Sequence, residues 1–144
     1  MPLATLTLPQ LSIVMVHATA PAFLLGATGS FIGLLAARLN VIIDRSRSIH
    51  SIGDENDTRQ NLKVDIPRLK RRAKLLHQAI TFAVASAICT TLLIVWSFAA
   101  AFVGVAHEAG AALLFIASLC MFAVALVALL REVKIGLIEL DHLP

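Results

Sequence analysis

Tyrosine is absent from this chain, tryptophan occurs once, and cysteine only twice. The missing tyrosines leave Trp96 and a few phenylalanines as the whole stock for an aromatic belt at a bilayer surface. Cys89 and Cys120 both fall inside apolar runs, where a thiol packs as a small hydrophobe; no disulfide or redox role is expected of them. Charge is scarce too, at 15% of residues against 58% hydrophobic, too little for a soluble domain of 144 residues. Residues 1–37 hold no Lys, Arg, Asp or Glu, so the charged opening of a cleaved signal is missing and the first apolar span should be retained. Phosphate loops, Gly-x-Ser-x-Gly, His-Glu-x-x-His and Cys-x-x-Cys are all lacking, which argues against an enzyme.

What is there begins with Arg68 to Val103. Arg68, Lys70, Arg71, Arg72 and Lys74 are five cations within seven positions, and no charge follows until Glu108. Ala79 to Val103 is an uncharged run of 25 residues. At 1.5 Å per residue such a helix reaches about 38 Å, more than the ~30 Å hydrocarbon core of a bilayer. A second uncharged run, Ala111 to Leu130, ends at Arg131, Glu132 and Lys134. A third, Pro21 to Ala37, has 17 residues and borrows from the segment before it.

The expected layout is one all-α membrane domain over residues 1–144. Three transmembrane helices at 20–37, 77–103 and 111–130 carry amphipathic cytoplasmic helical extensions. An outer segment occupies 1–19, with an interfacial helix over Leu11 to Val16, and Pro21 opens or kinks the first span. A cytoplasmic helix–loop–helix covers 38–76, an outer turn 104–110 and a cytoplasmic tail 131–144. In the first extension Leu35, Leu39, Ile42 and Ile49 keep one apolar face, while Asn40, Asp44, Arg47 and Ser51 share another. The tail keeps a stripe at Leu130, Val133, Leu137 and Leu140.

Ten of the twelve Lys and Arg lie between Arg38 and Lys74; the others are Arg131 and Lys134. Positive loops stay cytoplasmic, which puts the N-terminus outside and the C-terminus inside. The net charge of +3 therefore speaks for topology and lipid headgroups, and nucleic acid is not an expected partner.

Gly53 to Leu62 reads as a polar loop before a helix opened by Asp65 and Pro67. Asp54, Asn56, Thr58 and Asp65 approach calcium-loop spacing. Arg59 stands where the tight turn wants glycine, and Asp65 replaces the bidentate Glu, so a solvated loop is preferred. His17 and His107, with Glu108, form the one conceivable metal or haem pair, yet lone interfacial histidines are mostly tolerated polar groups; no metal or cofactor is expected.

Two ridges of small side chains mark the first span: Ala22, Gly26 and Ser30, and Gly29, Gly33 and Ala37. The second carries Ala79, Ala83, Ala87 and Thr91. Small residues four apart let helix backbones approach in lipid, either within one chain or between copies. Ser86, Thr90 and Ser97 fall near a common face, which either packs or lines a pore. Arg38, Asp44, Arg45, Arg71, Arg72 and Glu132 converge on one level, as a structural charge network or as a charged vestibule. No charge falls at mid-bilayer. That argues against a proton pump or ion-coupled transporter, and it leaves open a channel gated by an apolar constriction.

The blocks Ala20-Pro21-Ala22-Phe23-Leu24-Leu25, Arg38 through Arg47, Arg71 through Ile80 and Leu130-Arg131-Glu132-Val133 resemble the bacterial domain-of-unknown-function family 2721. The resemblance covers about residues 17–140. It implies a small three-span protein of the bacterial inner membrane and no established activity. The leading functional expectation is a homo-oligomer whose helices surround an ion-conducting pore. The alternative is a non-conducting scaffold or accessory subunit that binds a partner or anionic lipid through its basic helices. A haem-bearing redox protein is a weaker third.

Overall fold

The computed structural model describes residues 8–51, 58–104 and 108–140. These form three helices: α1 (Leu8–Ser51), α2 (Thr58–Val103) and α3 (Glu108–Leu140). There is no strand among the described residues. Each helix contains a span long and apolar enough to cross a membrane: Leu11–Ser48, Ile66–Val103 and Ala109–Leu137. The shortest, 29 residues, extends about 44 Å at the α-helical rise.

The helices run further than the pattern predicts. α1 passes straight through Pro21, taking in the Leu11–Val16 stretch expected as a separate interfacial piece. A proline removes only one backbone donor, and membrane helices tolerate that loss. α2 begins at Thr58, nine residues before Pro67, so the last residues of the expected loop are helical; residues 53–57 of that loop, with Asp54 and Asn56 of the calcium-like spacing, lie outside the described residues. α3 continues past Arg131 to Leu140 without a break. α2 stops at Gly104, whose φ of 71° suits glycine and whose N–H donates to Ala100 O at 2.9 Å, closing the last turn.

The chain divides into two compact units, each drawing a segment from all three helices. Unit 1 comprises Met1–Phe31 and Ala83–Ala123; unit 2 comprises Ile32–Phe82 and Val124–Pro144.

Burial along each helix follows a seven-residue repeat. On α1 the buried side chains are Pro21, Thr28, Leu35 and Ile42. On α2, Leu76, Ala79, Ala83, Ser86, Thr90 and Leu93 alternate steps of three and four. On α3, Ser118, Ala125, Ala128 and Glu132 keep the same phase. A repeat of seven on a helix of 3.6 residues per turn keeps one narrow stripe of each helix turned inward. Alanine and hydroxyl side chains dominate this seam, so the backbones approach closely.

Large apolar side chains cover the outside of the spans, and several polar ones lie inside. Phe23, Val41, Ile88, Phe102, Leu113, Ile116 and Val127 are exposed, while Thr28, Ser86, Thr90, Ser118 and Glu132 are buried. In water that distribution would expose large apolar patches at high cost; in lipid it is the expected one. Hydroxyls on the outward surface are tied to their own helix: Thr19 to Met15 O, Thr81 to His77 O and Thr91 to Ala87 O. None needs a water partner there.

Candidate functional site

Two polar clusters are built into the described residues, one in each unit. In unit 2, Glu132 on α3 is 1% exposed and lies between two arginines. Arg72 of α2 donates from Nε and Nη2 to Glu132 Oε1, at 3.0 and 2.8 Å. Arg38 of α1 brings Nη1 to 3.2 Å from Oε2. That approach is out of line, so Oε2 accepts no hydrogen bond. One carboxylate therefore ties all three helices.

Sequence position explains the geometry. Arg72 and Glu132 are seam positions, in phase with Leu69 and Leu76 and with Ala125. Arg71, one residue before Arg72, is exposed, because adjacent positions on a helix lie about 100° apart. Gly136 stands one turn past Glu132. A Cβ there would lie 3.1 Å from Arg72 Nη2, so glycine leaves the room that the guanidinium fills. Asp44 and Arg45, expected to share the network, are exposed.

In unit 1, Ser86 and Thr90 of α2 meet Ser118 of α3, all three fully buried. Ser86 Oγ donates to Ser118 O at 2.9 Å, and Ser118 Oγ donates to Ser86 O at 3.0 Å. This is a reciprocal clamp between two helix backbones. Thr90 Oγ1 lies 2.5 Å from Ser118 Oγ and 2.9 Å from Ser86 O. Every hydroxyl proton has an acceptor within the cluster. Ser97, the third candidate on that face, is half-buried and donates to Leu93 O at 2.9 Å. Phe31 and Phe122 close the same unit edge to face, with ring centroids 5.4 Å apart.

The small-residue positions separate. Ala83 is buried and Ala87 half-buried, both within α2's packed side. Gly26, Gly29, Gly33 and Ser30 of α1 are exposed. A Cβ built on any of these three glycines meets nothing within 4 Å. Ser30 Oγ donates to Gly26 O at 3.1 Å. The ridges of α1 thus point away from the packing inside one chain.

Sequence reading missed Ser118, Thr28 and Gly136. Ser118 is a hydroxyl near the middle of an uncharged run, in seven-residue phase with Ala125 and Glu132, and that phase was the available signal. Nothing local marks Gly136. His17 is exposed on α1; His107 lies outside the described residues. Cys89 and Cys120 are free thiols.

Neither the curated proteins nor the solved structures contain a significant match. A family model described as protein of unknown function (DUF2721) matches residues 18–142.

Proposed function

The chain belongs to the protein family of unknown function DUF2721, and from that premise we propose that it is a self-associating, non-conducting scaffold or accessory subunit of a membrane. The observation that carries this reading is the outward face of α1. Gly26, Gly29 and Gly33 stand exposed with no side chain near them, on a helix whose other side is already packed. In lipid, where hydrophobic drive between helices is absent, such a face gains most from close contact with another helix. A second copy is the simplest partner, by closed symmetry.

The conducting alternative would place Ser86, Thr90 and Ser97 along a water path. Ser86 and Thr90 are instead engaged with Ser118 inside one chain, and lining a path would break those bonds at a cost. A pore axis built from α1 would set Phe23, Leu34 and Val41 beside the glycines and the self-bonded Ser30. The non-conducting reading needs no such rearrangement. It assigns no catalysis. It takes the basic ends as cytoplasmic, with the N-terminus outside, in the bacterial inner membrane that the family resemblance implies.

Planar-bilayer recording with cross-linking on Gly29→Cys protein tests this reading. Cross-linked dimers in a silent membrane are expected. Unitary currents that change in Ser86→Leu protein would restore the pore.

A further inference from the structure

We propose that an exposed ridge of α2, formed by Lys70, Lys74, Gln78 and Phe82 with Arg71 beside it, docks an anionic phospholipid. This rests on the membrane reading above and deepens it by naming the ligand and the face that takes it. The ridge lies wholly within unit 2.

Arg72 turns inward to Glu132, while the cations around it turn outward. Lys70, Arg71 and Lys74 are all exposed, and none forms an ion pair among the described residues. Like charges gathered on one side of a helix repel one another, so this face favours an anion from outside the chain. Positions four apart on an α-helix rise about 6 Å and turn by only about 40°, which makes Lys70, Lys74, Gln78 and Phe82 one continuous ridge. Arg71 lies three residues before Lys74, close enough to share a phosphate with it.

The order of side chains along the ridge follows the order of groups in a phospholipid. The cations come first and suit the phosphate diester. Gln78 comes next. Its amide is exposed and makes no hydrogen bond among the described residues, so its N–H groups are open to an ester carbonyl. Phe82 follows, 39% exposed and inside the uncharged run that begins at Ala79, and it offers an apolar surface to an acyl chain. A water-soluble anion would gain nothing from that last position, because this part of α2 belongs to a span apolar enough to cross a membrane. Lysine and arginine at the edge of such a span reach their charge into the headgroups.

Lipid retention by the full-length protein in detergent, read by native mass spectrometry, tests the site. The probes are phosphatidylglycerol, phosphatidylcholine and inorganic phosphate. Wild-type protein should retain phosphatidylglycerol over phosphatidylcholine by about tenfold, the worth of one to two cations at an anionic surface. The double change Lys70→Gln with Lys74→Gln should bring that preference to about twofold or less. Arg131→Gln with Lys134→Gln removes the same charge from exposed positions of α3 and should leave the preference within about twofold of wild type. Gln78→Leu keeps every charge and should lower retention of both phospholipids about threefold, the worth of one hydrogen bond. Equal losses in the two double variants would overturn the ridge in favour of diffuse attraction. Unchanged retention in Gln78→Leu would overturn the matching of the ridge to a phospholipid. Displacement of the lipid by millimolar inorganic phosphate would make this a free-anion site and overturn the lipid assignment. Currents and cross-linking are read separately, so a silent, dimeric protein with no lipid preference would sink this inference alone.

Discussion

Unit 1 and unit 2 both bury polar groups between helices, and they do it with different chemistry. Unit 1 uses three neutral hydroxyls that bond reciprocally to each other and to two backbones. Unit 2 uses one carboxylate between two guanidiniums. The hydroxyl cluster is complete in itself: its protons are matched, its charge is zero, and it offers a ligand nothing. The ionic cluster is charged, joins all three helices, and has an exposed edge at Arg38. The difference teaches that buried polarity can join helices with or without charge, and that only the charged version strands an ion when one member is lost.

The largest expected effect breaks the ionic cluster. Glu132→Ala removes the carboxylate that joins half-buried Arg72 and Arg38 and should cost about 3 kcal/mol, read by unfolding in detergent. The double change Arg72→Met with Glu132→Leu should recover most of that loss, since the more buried pair becomes apolar and Arg38, 38% exposed, can turn outward. If the double variant is as unstable as Glu132→Ala, the cluster is not an isolated pair. Next comes Gly136→Leu, which drives a side chain into the space held by Arg72 and should cost about 1–3 kcal/mol. Gly136→Ala should cost far less, because the guanidinium end can shift.

The hydroxyl cluster should respond more weakly. Ser118→Ala removes the hydroxyl that donates to Ser86 O and meets Ser86 Oγ and Thr90 Oγ1, but leaves Ser86 donating to the Ser118 carbonyl and Thr90 bonded to Ser86 O; a loss of about 0.6 kcal/mol is expected. A loss as large as that of Glu132→Ala would erase the distinction between the two units. The smallest effect on folding belongs to the outward face of α1. Gly29→Leu and Gly33→Leu meet no neighbour within one chain, so monomer stability should stay within about 0.5 kcal/mol. Dimer cross-linking should fall sharply in the same proteins. Unchanged cross-linking would remove α1 as the contact face.

The sequence alone determined that the chain is all-helical, that three helices are long and apolar enough to cross a bilayer, and that charge gathers at one end of each apolar run. Those are properties of composition and local order, because hydropathy and helix length add residue by residue. It also pointed to Glu132 as a node of the charge network and to the ridges of α1. Only the tertiary structure decided which neighbours matter: Arg72 and not Arg71, Arg38 and not Arg45, Ser118 as the partner of Ser86, Gly136 as the space for a guanidinium. Those choices depend on the phase at which separate helices meet. A shift of one residue turns a side chain about 100° around its helix, so contact is a property of the packed set and not of any one segment.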